Sequence, residues 1–377
     1  MAATGTAPIQ VSLDPISADA ATDELLTAML RANPRVSDFI FSPGRKLQVQ
    51  VSGELVTLDL PGLRPLHADD TRRVASDLIG NNKAAISMLR EQGYCDVSYA
   101  LPGLARFRVN VFIQRGSCAV VLRVIPTVVP DFNTLGLPAH LREIGSLHEG
   151  LILVTGPRGS GKSSTLAALL DHINQSATCH IITIEDPIEF LHNHKRATVH
   201  QRELHSDTPS VSHAMRAALR QAPNVIAVGE LKDRETMELA LEAAETGHLI
   251  LSTLNTLNAR QTVERFVGAF PAAEQAAIRE RLARMLRYVI SQRLVPREPG
   301  GGRVAVFEIL KSGSKFLDSI LQAAGKNSQK FRHPPDGDNF DAQIEKLVHA
   351  GTVSTEIALA NAVDPRGLAK KLGIPQP

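Results

Sequence analysis

The residues of this chain that are best suited to chemistry lie in the run LILVTGPRGSGKSST at positions 151–165. The run contains the pattern G-x-x-x-x-G-K-[ST], from Gly156 to Ser163, between an apolar stretch and a helix-forming one. Its glycines let the backbone turn N–H groups toward phosphate oxygens, and the N-terminus of the following helix adds positive charge. The pattern predicts a nucleotide-phosphate site in which Lys162 reaches the β- and γ-phosphates and Ser163 ligates Mg²⁺. The residues predicted to contact nucleotide in this loop are Gly156, Pro157, Arg158, Gly159, Ser160, Gly161, Lys162, Ser163 and Ser164.

Two acidic residues directly follow predicted strands and are candidates for catalysis. Glu185 follows the apolar run 180–184, and Glu230 follows the run 225–228 and Gly229. If these strands lie parallel to the strand before the phosphate loop, their carboxylates can orient or deprotonate the attacking water, or ligate the metal. Acids at strand ends can also be ordinary solvated loop residues. We favour a functional role for both, with Glu230 as the catalytic and metal-binding candidate.

Two polar residues beside a further predicted strand could serve the same site. Asn255 follows the strand 249–253 and could sense the γ-phosphate through a hydrogen bond. His248 precedes that strand, and its chemistry alone leaves open whether it is catalytic or a structural hydrogen-bonding residue.

Several arginines in the first part of the chain lie outside this region, namely Arg106, Arg108, Arg115 and Arg123. They could form a solvated basic face. Alternatively, some of them could reach a phosphate bound by a neighbouring subunit, as arginine fingers do. The second interpretation would couple hydrolysis to movement between subunits.

The secondary-structure pattern predicts two domains. Residues 1–19 are rich in Ala, Thr, Ser and Pro and are predicted to be disordered, and residues 20–127 are predicted to form a smaller α+β domain. In residues 128–377 strands alternate with helices, which predicts an α/β P-loop NTPase core with a parallel-containing sheet. We expect residues 259–372 to be mostly helical, apart from a strand at 304–310.

Composition excludes several classes of protein and partner. The 377 residues are 43% hydrophobic with a formal net charge of +2, so we expect globular domains and no nucleic-acid partner. No apolar run approaches the ~18 residues of a membrane span, so we expect any membrane association to run through a partner protein. The cysteines lack C-x-x-C spacing, which favours free thiols in a reducing cytosol.

Together, these motifs resemble those of the type II/type IV pilus secretion ATPase superfamily, and in particular the PilT/PilU-type pilus retraction ATPases. The phosphate loop matches the family's Walker A motif. The runs TIEDPIEF at 183–190, VIAVGELKD at 225–233 and TGHLILSTLNT at 246–256 match its Asp box, Walker B and His box. RFRVNVFIQRG at 106–116 is equally typical, and ILQAAGK at 320–326 resembles a degraded retraction-ATPase signature.

The resemblance implies a PAS-like first domain, a RecA-like ATPase domain and a homo-hexameric ring that binds ATP and Mg²⁺. By motif position, it implies that Glu230 is the catalytic glutamate, that Glu185 lies near the nucleotide and that His248 contacts the γ-phosphate. Arg108 and Arg123 match the family's interdomain arginines, which we count among the catalytic candidates.

A second arginine pair, Arg216 and Arg220, matches family positions that precede Walker B and contact nucleotide. The resemblance also implies a motor for type IV pilus retraction and twitching motility. Such a motor would be cytoplasmic and peripheral to the inner membrane, where it acts through an integral platform protein. A second retraction ATPase is a further candidate partner.

Among the chain's departures from the family pattern, two bear on turnover. Asn255 stands where a second His-box histidine is usual, and Lys232 replaces an arginine. Because Asn255 cannot carry charge and Lys232 cannot form a bidentate carboxylate pair, turnover could be slow. Two alternatives stay open: a pilus assembly or type II secretion ATPase, which usually carries a longer N-terminal region and a four-cysteine zinc module, and a weakly active or non-hydrolysing accessory subunit.

Overall fold

The structure is a computed structural model that describes residues 20–32, 36–51, 54–58, 63–126, 128–298, 301–313 and 339–374. The predicted disordered segment 1–19 and the signature at 320–326 lie outside these residues. Among the described helices, none has both the length and the apolar character that crossing a membrane requires.

The described residues divide into two compact units, one within 1–128 and 189–191 and the other within 129–188 and 192–377. Each unit has its own sheet and its own apolar core. Cys95, Cys118 and Cys179 are free thiols.

The smaller unit is built on an antiparallel sheet. Its strands are β1 (Val36–Phe41), β2 (Gln48–Val51), β3 (Glu54–Thr57), β4 (Tyr94–Leu101), β5 (Ala105–Gln114) and β6 (Ser117–Ile125), in the sheet order β3-β2-β1-β6-β5-β4. Its helices are α1 (Thr22–Ala32), α2 (Ala68–Ile79) and α3 (Lys83–Gln92). Along β5, Phe107, Val109 and Val111 are buried in the core, so the alternating residues Arg106 and Arg108 lie on the opposite face.

The larger unit is built on a seven-stranded sheet. Its strands are β7 (Gly150–Thr155), β8 (His180–Glu185), β9 (Thr198–Glu203), β10 (Val225–Val228), β11 (Leu249–Leu254), β12 (Leu286–Pro296) and β13 (Arg303–Lys311). The sheet order is β13-β12-β7-β11-β10-β8-β9, and every neighbouring pair is parallel except β12 with β13. The predicted fold class is confirmed: an α/β core with a parallel-containing sheet, preceded in the sequence by a smaller α+β part.

Helices cover both faces of this sheet. They are α4 (Phe132–Leu135), a 3₁₀ helix (Ala139–Ser146), α5 (Lys162–Ser176), α6 (Val211–Ala218), α7 (Arg234–Glu245), α8 (Ala259–Val267), α9 (Gln275–Met285), α10 (Phe340–His349), α11 (Thr355–Asn361) and α12 (Pro365–Lys371). Residues of α5 pack with Ile181 and Ala227 on one face, whereas α6 to α9 pack with Ile182 and Ile226 on the other. Because both faces are covered, the central strands are apolar throughout.

Two strands of this sheet differ from the sequence prediction. The prediction of a mostly helical stretch at 259–372 is wrong for β12, which is 11 residues long and hydrogen-bonded to β7 and β13. Since β12 is buried on both faces along most of its length, its apolar residues show no period-2 alternation. β9 is an edge strand of mostly polar residues and gives no strand signal either.

Candidate active site

The carboxyl ends of four parallel strands meet at one edge of the larger sheet. In the strand register, Thr155 lies opposite Leu254, and Val228 lies opposite both Ser252 and Ile184. The segments that follow β7, β8, β10 and β11 therefore begin side by side. This is the edge at which open parallel sheets bind their ligands.

The phosphate loop turns tightly at the end of β7. Gly156 has a φ of +153°, and a Cβ added there would lie 2.3 Å from the carbonyl oxygen of Gln292, so the loop requires glycine. Lys162 Nζ donates to the carbonyl oxygens of Gly156 and Pro157, at 3.0 and 2.9 Å. Behind Gly161, helix α5 begins without a side-chain cap, so its first N–H groups remain available to an anion.

The other loop residues lie at the tip, in the first helical turn or at the base. Arg158 and Gly159 are exposed at the tip, and Ser163 and Ser164 are half-buried in the first turn of α5. Ser160 is 3% exposed, and its buried Oγ has no hydrogen-bond partner among the described residues. Because buried hydroxyls are nearly always paired, this one is suited to a ligand oxygen.

Strand β12 forms the base of the loop. Thr165 Oγ1 donates to Gln292 Oε1 at 2.6 Å, and Thr155 Oγ1 donates to Ser291 Oγ at 3.0 Å. All of these side chains are buried, so the bonds tie the first turn of α5 to the sheet. Ser291 and Gln292 were not predicted as site residues because β12 was not predicted from the sequence.

Glu230 and Asn255 form a hydrogen-bonded pair at this edge. Glu230 is half-buried, and its Oε1 accepts a hydrogen bond from Asn255 Nδ2 at 2.5 Å. Thr253 Oγ1 donates to the Gly229 carbonyl oxygen at 2.6 Å, which joins the ends of β10 and β11. The structure thus brings two of the predicted site residues into direct contact.

Glu185 ends β8 beside this pair of strands. Its Oε1 accepts hydrogen bonds from Thr183 Oγ1 at 2.7 Å and from Gln201 Nε2 at 2.9 Å. Gln201 was not predicted as a site residue because β9 lacks an apolar pattern. The next residue, Asp186, accepts a hydrogen bond from Lys232 Nζ at 3.3 Å, and since both side chains are exposed this pair contributes little stability.

His248 lies at the opposite edge of the sheet. Leu249 is in register with Gly150 at the amino end of β7, so His248 is about 20 Å from the carboxyl end of β11. Its Nδ1 lies 3.0 Å from the carbonyl oxygen of Ala243 near the end of α7. The prediction that His248 contacts the γ-phosphate is therefore wrong for the site of its own subunit.

The two arginines before β10 lie on and just after α6. Arg216 donates to Glu235 at 2.7 Å, and both side chains are about half exposed. Arg220 is exposed in the turn that leads to the amino end of β10, where Asn224 N donates to the His180 carbonyl oxygen at 2.8 Å. The nucleotide contacts of Arg216 and Arg220 stay predictions.

In the smaller unit, Arg108 and Arg123 lie directly opposite each other on β5 and β6, and both are exposed. Arg123 is also opposite Asp38 on β1, with Nε 2.8 Å from Oδ1 and the Asp38 side chain only 8% exposed. Like charges opposite each other are unfavourable, and the Asp38 carboxylate compensates only one of them. This face of the sheet is therefore suited to an anion.

The oxygen donors at the carboxyl edge fit Mg²⁺. Among the described residues, no group of three or more His, Cys, Asp and Glu side chains is arranged to hold a metal ion. Mg²⁺ bound with a nucleotide needs only one or two protein oxygens, because phosphates and water supply the rest. The Ser163 hydroxyl and the Glu230 carboxylate are hard donors of this kind.

Comparison with known families and proteins gives consistent matches. The family model described as type II/IV secretion system protein matches residues 97–301. The type IV pilus retractation ATPase PilT of Pseudomonas aeruginosa is 40% identical over 339 residues, which cover 89% of this chain and 96% of that protein. The twitching motility protein of Neisseria gonorrhoeae is 37% identical, over 85% of each chain.

Among solved structures, the crystal structure of the pilus retraction motor PilT with bound ADP matches with a TM-score of 0.81. It is 39% identical and covers 92% of this chain and 98% of the other. Because the matches span most of each chain, the similarity concerns the whole fold and not the phosphate loop alone.

Proposed function

The chain belongs to the type II/IV secretion system protein family, and on this premise we propose that it is an ATP-hydrolysing motor of type IV pilus retraction and twitching motility. The observation that carries the proposal is the carboxyl edge, where the phosphate loop, Glu185 and the Glu230–Asn255 pair lie side by side. Similarity to a retraction ATPase over most of the chain supports retraction among the activities of the family.

In the proposed reaction, the loop binds the β- and γ-phosphates of ATP. Lys162 exchanges the carbonyl oxygens of its own loop for phosphate oxygens, and the unpaired Ser160 hydroxyl donates to another. Ser163 and Glu230 would hold Mg²⁺, which neutralises phosphate charge when bound.

Glu230 would orient the attacking water and accept its proton. The neutral amide of Asn255 fixes the orientation of one carboxylate oxygen and adds no charge of its own. General-base catalysis of this kind contributes roughly 10²- to 10⁴-fold in rate. Glu185 adds a second negative group at the same edge, where it would help to order water around the phosphates.

A homo-hexameric ring would complete the site. Arg108 and Arg123 would be directed to the phosphate held by a neighbouring copy, and His248 could serve nucleotide only across such a boundary. Arg216 and Arg220 would add further contacts to the nucleotide. The division into a PAS-like domain at 20–127 and a RecA-like domain at 128–377 belongs to the same proposal.

The proposed location is the cytoplasmic face of the inner membrane. There the ring would act on an inner-membrane platform protein, alone or beside a second retraction ATPase, and would need no nucleic acid. Similarity to a type IV pilus retraction ATPase and to a twitching motility protein supports a pilus machine as the setting of this activity.

Replacing Glu230 by Gln tests the enzymatic part of the proposal. The variant keeps the shape of the side chain but cannot take up the proton, so ATP binding should persist while turnover falls about 100-fold or more. Glu242→Gln makes the same change at an exposed position of α7 and should hydrolyse ATP at the unchanged rate. Normal phosphate release by E230Q would exclude Glu230 as the base.

The amide at position 255 favours a second candidate function, a weakly active accessory subunit of a retraction motor. Expression of the chain in a bacterium that lacks its own retraction ATPases distinguishes a motor from an accessory subunit. A motor should restore twitching by itself, whereas an accessory subunit should do so only when a second retraction ATPase is present.

A further inference from the structure

Strand β9 borders the Asp-box segment at 183–190 and pairs with β8. It lies parallel to β8 at the end of the sheet, with Gln201 opposite Thr183 and Glu203 opposite Glu185. We propose that Gln201 is a positioning residue that holds the carboxylate of Glu185 at the phosphate edge. This inference rests on the proposed ATPase function.

The side-chain amide of Gln201 contacts both ends of the segment that follows β8. Its Nε2 donates to Glu185 Oε1 at 2.9 Å, at the beginning of that segment. Its Oε1 accepts a hydrogen bond from the backbone N–H of His192, at 2.8 Å, at the other end. The neutral side chain of Gln201 therefore fixes the Glu185 carboxylate relative to the backbone of His192.

The two contacts determine which way the amide of Gln201 points. In the opposite orientation, the amide oxygen would face the Glu185 carboxylate and the NH₂ group would face the His192 N–H. Both of those contacts would be repulsive, because a carboxylate only accepts and a backbone N–H only donates. The donor must therefore face Glu185.

A second donor acts on the same oxygen of Glu185. Thr183 Oγ1 donates to Oε1 at 2.7 Å, so this oxygen is held from two directions. Both Thr183 and Gln201 are neutral, so they restrict the rotation of the side chain and leave its negative charge intact. That combination suits a group that must meet water and phosphate in one fixed geometry.

The main chain of the segment is held to β9 by other bonds. Leu204 N donates to the Glu185 carbonyl oxygen at 2.9 Å, and Ile188 N donates to Glu203 Oε2 at 3.1 Å. Glu203 is only 5% exposed. Since these bonds do not involve the side chain of Gln201, its replacement should release Glu185 without unfolding the segment.

Gln201→Met tests the inference, because methionine has a similar length and cannot make either hydrogen bond. We expect kcat for ATP hydrolysis to fall about 10- to 100-fold while KM for ATP stays within about twofold. The control is His200→Met, which also introduces methionine but on the other face of β9, where it breaks the 2.8 Å contact between His180 and His200. It should leave kcat unchanged.

A double-mutant cycle separates positioning from a general structural role. If Gln201 acts through Glu185, Gln201→Met should reduce kcat by less than about twofold once Glu185→Gln is present. An equal reduction in both backgrounds, or an unchanged kcat for the single variant, would overturn the assignment.

A second substitution covers the case in which the methionine variant does not fold. Gln201→Glu keeps the acceptor for His192 N and places a carboxylate against Glu185, so kcat should fall. When Glu185→Gln is combined with it, the amide at position 185 can donate to the carboxylate at position 201. The loss of kcat caused by Gln201→Glu should then disappear, and a loss that persists would contradict the inference. Absence of ATP hydrolysis by the unchanged chain would overturn the proposed function itself, so that rate is measured first.

Discussion

At the scale of single residues, the hydrogen bond between Asn255 and Glu230 matters most for the proposed chemistry. The family pattern has a histidine at position 255, which titrates near neutral pH, whereas an amide is neutral throughout. The 2.5 Å bond to Glu230 gives this amide a definite task, which is to orient a carboxylate without changing its charge. The substitution is therefore compatible with an active site and does not by itself indicate a lost one.

Asn255→Ala tests whether the amide orients the Glu230 carboxylate. Removal of the donor lets the Glu230 carboxylate rotate, so we expect kcat to fall about tenfold with little change in KM for ATP. Asn255→His restores a donor at the same place and should recover most of the rate. Steady-state ATP hydrolysis measures both variants, and an alanine variant with the full kcat would show that the hydrogen bond has no catalytic role.

At the scale of elements, the phosphate loop depends on β12 as much as on its own glycines. The carbonyl oxygen of Gln292 lies where a side chain at Gly156 would begin. The side chain of Gln292 accepts a hydrogen bond from the Thr165 hydroxyl. Both β7 and β12 therefore constrain the path of the loop.

Gly156→Ala should disrupt this contact. Its Cβ would lie 2.3 Å from the Gln292 carbonyl oxygen and 2.5 Å from Ser160 Oγ, so we expect weaker ATP binding and a lower Tm. The control is Gly159→Ala, which has a φ of +75° but nothing within 4 Å of its Cβ, and should cost only about 1–2 kcal/mol. Equal melting temperatures and ATP affinities for the two variants would contradict this picture.

The elements differ in how far the sequence alone could predict them. The runs of β7, β8, β10 and β11 are short, apolar and followed by polar residues, so both their type and their shared edge could be predicted. β12 could not, because burial on both faces removes alternation, and β9 could not, because an edge strand needs few apolar residues. The contacts of Gln292 and Gln201 were therefore missed with them.

Sequence motifs also predicted site residues with uneven success. Glu230 and Asn255 follow strands whose carboxyl ends share an edge with the phosphate loop, so parallel-sheet geometry was sufficient for them. His248 belongs to the same motif as Asn255, but His248 precedes β11 and Asn255 follows it. The six residues of β11 separate the two ends of the strand by about 20 Å. A motif match alone does not report that distance.

At the scale of the whole molecule, the candidate groups are divided between two units. The phosphate loop and its acids belong to the larger unit, and the exposed Arg108–Arg123 pair belongs to the smaller one. The proposed ring would bring the arginines of one copy to the nucleotide of another, so hydrolysis would depend on assembly.

Mixing two inactive variants tests this dependence. Arg108→Ala removes the donated arginine and Glu230→Gln removes the base, so neither should turn over ATP alone. In mixed rings, some sites would combine an intact Glu230 with an intact Arg108 from the neighbour, and activity should reappear. A mixture no more active than the sum of its parts would contradict an arginine acting between subunits.

The central claim is that the loop from Gly156 to Ser163 binds the triphosphate of ATP for hydrolysis, and Lys162→Ala tests it most directly. ATP hydrolysis should be measured for the purified chain, for this variant and for Lys346→Ala, which removes an exposed lysine of α10. We expect turnover by the unchanged chain and by Lys346→Ala, and none by Lys162→Ala. Turnover by Lys162→Ala equal to that of the unchanged chain would contradict the account.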